Sequence, residues 1–138
     1  MAAPVLARTA VAALCLVGLY ASSHMARKHE RAARGELHER SVVTSPRASV
    51  GTISNARIGM AYYVLVLVLA PWLGQDNTLV TTVSLIASAL AALFSAWLAY
   101  SLLFVTRMPC VFCWTGHAVN WALFGLLLWL ARTAAGGA

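Results

Sequence analysis

Charge is what this sequence has least of: ten Lys and Arg and four Asp and Glu in 138 residues, or 10%, while 61% of the chain is hydrophobic. A soluble domain carries about a quarter charged residues, so an ordinary water-soluble globule is excluded and a bilayer is the expected solvent. Acidic residues are scarcest, limited to Glu30, Glu36, Glu39 and Asp76, and the net charge is +6. Nucleic acid is not the implied partner, because no folded recognition module or aromatic stacking surface accompanies the basic residues. Three cysteines are too few for a disulfide framework. Cys15 lies inside an apolar run and reads as a small hydrophobe, which leaves Cys110 and Cys113 as the one working pair. Lysine is nearly absent too, with Lys28 standing against nine arginines, and alanine is abundant. That bias points to GC-rich coding and a bacterial chain.

What is there in quantity is long apolar runs. About 17 to 25 apolar residues span the hydrocarbon as a helix, and four stretches fit. The pattern predicts an all-α integral membrane protein, a four-transmembrane-helix bundle in a single domain over 1–138, with spans at about 5–22, 57–73, 79–105 and 109–131. The first carries Arg8 near its end, where the side chain can snorkel to the interface. It also has the look of a cleaved signal peptide, since Ala21-Ser22-Ser23 follows a short apolar core. A lipid anchor at Cys15 is disfavoured by the bulky Leu14. Pro71 with Gly74-Gln75-Asp76 closes the second span, and the third is long enough to tilt. The polar loop 23–55 is the only extended polar segment. Its Arg27 to Arg40 half suits a short amphipathic interfacial helix, which Ser45-Pro46 would break.

Four spans put that loop, the Thr106 to Pro109 turn and Cys110 on one side of the membrane. Six of the ten cationic residues lie in the loop, Arg57 follows it just before the second apolar run, and Arg107 is in the turn. By the positive-inside rule this side would be cytoplasmic. The loop is expected to lie on the membrane surface, against lipid headgroups.

The chemistry concentrates at the start of the fourth helix. Cysteines three apart lie on one helical face, near enough for a disulfide. Pro109 suits a first helical position, and the free amides there favour a thiolate, so Cys110 should react with external partners. Cys113, His117 and Asn120 follow down the same face as a polar stripe. Polar groups at membrane depth usually face a bundle interior or cavity. A redox dithiol opening onto an apolar pocket with a few hydrogen-bond donors suits a lipid-soluble two-electron carrier such as a quinone.

Other readings of the same residues remain open here. Cys110, Cys113 and His117, with a ligand from His24, His29 or His38, could hold zinc. His117 and Asn120 could instead serve only as interhelical hydrogen-bonding residues.

The motifs resemble a known family. Trp97-Leu98-Ala99-Tyr100, Leu103-Phe104-Val105 and the run Cys110-Val111-Phe112-Cys113-Trp114-Thr115-Gly116-His117-Ala118-Val119-Asn120 are similar to the third and fourth helices of the vitamin K epoxide reductase family. Thr44-Ser45-Pro46-Arg47-Ala48-Ser49-Val50-Gly51, followed by Asn55, Gly59 and Tyr63, resembles the loop and second helix of bacterial members. The resemblance implies a four-helix bundle around a quinone (menaquinone, ubiquinone or vitamin K) and no metal. Cys113 would face the quinone and Cys110 would exchange with thiols. Asn55 and His117 would contact the quinone oxygens, with Gly59, Tyr63 and Asn120 also at the site and Met60 and Trp114 as walls. Animal members generally have tyrosine at the His117 position.

One departure matters. The family normally carries a second cysteine pair in the first loop, which relays electrons from a thioredoxin-like protein. Here the nearer of those positions falls at or near Glu39, and the loop has no cysteine. The implied function is a membrane thiol:quinone oxidoreductase whose electrons come from a separate thioredoxin-like protein or a small-molecule thiol. The alternative is a non-catalytic membrane subunit or scaffold of the same family. The family also implies a bacterial plasma membrane location with the CxxC on the extracytoplasmic side, opposite to the arginine count. That is the expectation carried forward, because quinone-linked oxidation is useful where disulfides persist.

Overall fold

The computed structural model describes residues 2–74 and 77–136. Gln75 and Asp76, part of the turn expected to close the second span, lie outside the described residues. Four helices carry the fold: α1 (Ala2–Ala33), α2 (Asn55–Leu69), α3 (Thr78–Tyr100) and α4 (Val111–Gly136). Each, with the 3-10 turn that extends α2 and the π-helical segment that extends α3, is long and apolar enough to cross a membrane. The chain is therefore an all-α membrane bundle. A two-residue hairpin interrupts it, with β1 (Ser49–Val50) antiparallel to β2 (Ile53–Ser54).

α1 does not stop where the apolar run ends near residue 22. Residues 24–33 contain neither glycine nor proline, so nothing breaks the helix. The 32 residues span about 48 Å at 1.5 Å each, against roughly 30 Å of hydrocarbon. The cationic half of the loop is thus largely a continuation of α1 beyond the apolar run, in place of the separate interfacial helix read from the sequence. The stop comes at Gly35, in left-handed backbone at φ 72°. Gly35 N–H donates to Ala32 O and Glu36 N–H to Arg31 O, both at 3.0 Å, the paired bonds of a glycine-terminated helix.

At the opposite end of the bundle Pro71 turns α2 into one 3-10 turn over Ala70–Trp72. Thr81 then clasps the connection, accepting from Gly74 N–H at 2.8 Å and donating toward Asn77 O at 3.0 Å. Arg8 Nε donates to Leu73 O at 2.7 Å, so the charged residue of the first span satisfies a carbonyl at the bundle end.

Packing is uneven. α1 lies along α2 and α4, and α4 along α3, whereas α2 and α3 scarcely touch. The buried core runs through Val11, Cys15, Tyr63, Val66, Leu123 and Leu127, while leucines such as Leu6, Leu90 and Leu93 point outward, as a lipid-facing surface requires. α3 buries Ser84, Ser88, Ala92, Ser95 and Ala99 along one stripe. Small residues there let helix backbones approach closely, which is how packing gains energy where lipid removes the hydrophobic drive. Gly18 does the same on α1: a Cβ at this position would collide with the Tyr63 ring.

Candidate functional site

α3 ends in a π-helical segment, Ser101–Thr106, and Arg107 then reverses the chain at φ 50° and ψ 39°. This delivers Pro109 and Cys110 to the mouth of α4. The first helical residue is Val111, two positions later than Pro109, which the sequence suggested. Cys110 is instead the residue before the helix, whose carbonyl accepts from Trp114 N–H at 3.1 Å to close the first turn. Its sulfur accepts from Cys113 N–H at 3.2 Å. Cys110 and Cys113 are joined as a disulfide across that turn, with their Cα atoms 5.2 Å apart. Cys15 is free and buried.

Two spaces meet at this disulfide. Cys113, Phe112 and His117 line a cavity of about 200 Å³ that is bordered by all four helices and the hairpin segment. Cys110 and Phe112 line a separate groove with His24, Lys28, Arg40 and Arg107. Phe112 lines both spaces, with Met25, Val42 and Thr106, and the His24 ring stacks on it at 4.0 Å. One cysteine of the pair therefore borders each space, and the S–S bond joins the two residues.

The sequence-predicted residues Asn55, Gly59, Tyr63, His117 and Asn120 all line the cavity with Cys113. They differ in how free they are. Tyr63, 2% exposed, donates its hydroxyl to Asn120 Oδ1 at 2.7 Å, and Gly116 O lies 3.2 Å away. Asn120 Nδ2 donates to Ser95 Oγ at 2.6 Å. Tyr63, Asn120 and Ser95 thus form one chain across α2, α4 and α3, committed to one another. Gly59 lies against Ser22 of α1, whose Oγ would be 3.0 Å from an added Cβ.

His117 is 8% exposed and touches Trp114 edge-on and Trp121 at 6.2 Å, but its ring nitrogens make no hydrogen bond among the described residues. Asn55 opens α2, with Nδ2 donating to Arg47 O at 2.7 Å and its backbone N–H to Ala48 O at 2.9 Å. Its Oδ1 is buried with no partner. Unpartnered buried polar atoms are costly, so one at a cavity wall marks a place where a ligand can supply the missing bond.

Several lining residues carried no sequence signal. Tyr62 brings a second buried, unpartnered hydroxyl to the cavity. Arg47 donates to Ser101 Oγ at 3.1 Å and lies over the Trp97 ring at 5.4 Å, pinning the hairpin segment to α3 as a roof. Ser95 could have been found from the serine and alanine spacing of α3, whereas Tyr62 and Arg47 could not. Met60 and Trp114, expected as walls, are not part of the lining. For zinc, no group of three His, Cys, Asp or Glu residues forms among the described residues. His29 instead faces Val43 O at 3.2 Å.

A cavity of 200 Å³ is smaller than the roughly 300–1,000 Å³ of sites that enclose a whole drug-sized ligand. A search of the curated proteins finds no match to the chain. The sequence profile of the Vitamin K epoxide reductase family, however, matches residues 9–128, which include every side chain of the disulfide, the cavity and the groove. A CxxC disulfide at the head of the last helix of a four-helix membrane bundle, found together with that match, means that the chain belongs to the vitamin K epoxide reductase family.

Proposed function

We propose that this protein is a membrane thiol:quinone oxidoreductase that works through Cys110 and Cys113 and takes its electrons from a separate thiol. Family membership implies membrane thiol-disulfide chemistry with a quinone as redox partner, and the CxxC pair is present. The observation that carries the finer reading is the position of the disulfide between a groove lined by cations and an apolar cavity. An external thiolate attacks Cys110 Sγ, and Cys113 leaves as the thiolate on the cavity side. A second thiolate attacks the donor sulfur of the mixed disulfide, releasing the donor disulfide and Cys110. The dithiol then passes two electrons and two protons to the quinone, and the Cys110–Cys113 bond reforms.

Within the cavity, His117 can donate a hydrogen bond to a quinone oxygen, stabilising the charge that develops there. Asn55 Oδ1 is an acceptor, suited to the hydroxyl of the reduced carrier. Tyr63, Asn120 and Ser95 position the wall, because their polar atoms already satisfy one another. The thiol donor is a separate molecule, a thioredoxin-like protein or a small thiol, since the loop that would carry relay cysteines has none. The CxxC faces the extracytoplasmic side of a bacterial plasma membrane, where disulfides persist.

The test is reduction of a soluble quinone analogue by a dithiol, comparing the unaltered protein with Cys113→Ala in detergent. Loss of quinone-dependent thiol oxidation in the variant is expected. Equal rates would favour the scaffold reading over catalysis.

A further inference from the structure

The groove on the Cys110 side has a charge that the thiol chemistry alone does not require. The described carboxylates are all engaged elsewhere or at its edge. Glu30 pairs with Arg57 at 2.8 Å, and Glu36 with Arg34 at 2.6 Å and Arg31 at 3.7 Å. That contact with Arg34 holds the Glu36 carboxyl below the usual carboxylate range. Glu39 reaches Lys28 at 3.5 Å, but it is largely exposed, and such a bridge is weak. Arg40 and Arg107 have no carboxylate partner among the described residues, and both line the groove beside Cys110.

Arg107 is placed there at some cost. It is the one non-glycine residue in left-handed backbone among those described, a region where a side chain is disfavoured. It follows a π-helical turn whose last bond runs from Arg107 N–H to Leu102 O at 3.0 Å, and π turns recur at functional sites. Its Nε donates to Phe104 O at 3.2 Å, and the side chain borders the groove. The groove beside Cys110 has a volume of about 680 Å³.

From these observations, and resting on the thiol-oxidising reading above, we infer that the groove formed by Arg40, Arg107, Lys28 and Cys110 binds the electron donor as a small thiol carrying a carboxylate near its sulfur. The cations draw in the acid group and seat the thiolate against Cys110 Sγ. The donor sulfur is oxidised to a disulfide, two donor thiols giving up two electrons and two protons to the protein disulfide. Charge complementarity raises the encounter rate more than it raises affinity, and it is screened by salt.

The experiment reads the disulfide directly, without quinone. The oxidised protein in an uncharged detergent is treated with 3-mercaptopropionate, 2-mercaptoethanol or cysteamine, quenched by alkylation and weighed by mass spectrometry. The same thiols acting on an oxidised Pro-Cys-Val-Phe-Cys peptide set the intrinsic reactivity. The ratio of mercaptopropionate to cysteamine rates should exceed the peptide ratio about tenfold at low ionic strength. It should fall toward the peptide value in about 1 M salt, where the screening length is roughly 3 Å. Joint Arg40→Gln and Arg107→Gln substitution should remove most of the excess, and Arg132→Gln, on α4 beyond the core, should not. The salt series on the unaltered protein tests the same point should the double variant fold poorly.

A ratio equal to that of the peptide, or one that survives both salt and the double substitution, overturns the inference. So does a disulfide that none of the three thiols reduces, an outcome that would make the donor a protein. Adding the quinone analogue afterwards separates the two readings. A dithiol that stays reduced overturns the quinone assignment and leaves the groove result standing.

Discussion

Tyr63 Oη donates to Asn120 Oδ1 at 2.7 Å, and through this one bond the second helix is tied to the fourth directly beneath the redox pair. Asn120 continues the tie to Ser95 on the third helix. Tyr63→Phe leaves the Asn120 carbonyl without its donor in a buried setting. Interhelical hydrogen bonds in membrane proteins contribute about 0.6 kcal/mol on average and up to roughly 1.7. The variant should lose stability within that range, read as a lower midpoint in thermal unfolding in detergent. A loss no larger than that of a lipid-facing control such as Leu90→Ala would show that the bond contributes nothing.

The two thiols of the reduced protein should alkylate in order. Cys110 borders the groove lined by Lys28, Arg40 and Arg107, and Cys113 borders the apolar cavity. A charged, membrane-impermeant maleimide should therefore label Cys110 first, with Cys113 following slowly, as peptide mapping of a time course would reveal. Filling the cavity with a quinone analogue should slow Cys113 further and leave Cys110 as it was. Simultaneous labelling of both would mean that the two spaces are not separate.

The membrane class, the CxxC and the polar stripe below it were legible because each is written locally. Apolar run length gives spans, and a spacing of three or four residues gives one helical face. His117 and Cys113 accordingly line one cavity, as the stripe implied. What was not legible depends on distance across the bundle. Nothing near Arg47 in sequence announces that it reaches Ser101, 54 residues on, and nothing near Tyr62 distinguishes its unpartnered hydroxyl from the partnered one of Tyr63. Hydropathy also marks where a helix leaves the membrane and not where it ends. That is why α1 runs past residue 22 until Gly35 allows the chain to turn.

Gly18 should be intolerant of even one added methyl. A Cβ there would overlap the ring of Tyr63, which is itself anchored through its hydroxyl and cannot swing aside without breaking that bond. Overpacking a well-filled interior costs about 1–3 kcal/mol. Gly18→Ala should accordingly lower the unfolding midpoint more than Gly125→Ala, since an added Cβ at Gly125 meets nothing within 4 Å. Equal effects at the two glycines would show that α1 and α2 are not in this close contact.

Tyr62 offers the opposite sign. Its hydroxyl is buried at the cavity with no partner, and leaving such a group unsatisfied costs about 1–3 kcal/mol relative to an apolar replacement of the same shape. Tyr62→Phe should therefore raise the thermal midpoint of the ligand-free protein. If the hydroxyl is kept because a quinone oxygen bonds to it, the same change should weaken quinone binding, so that KM for the analogue rises while the ligand-free protein becomes more stable. The two readouts move in opposite directions only if the hydroxyl serves the ligand. A variant that loses stability has removed a bond within the protein, and one that gains stability with KM unchanged has removed a group the ligand never touched.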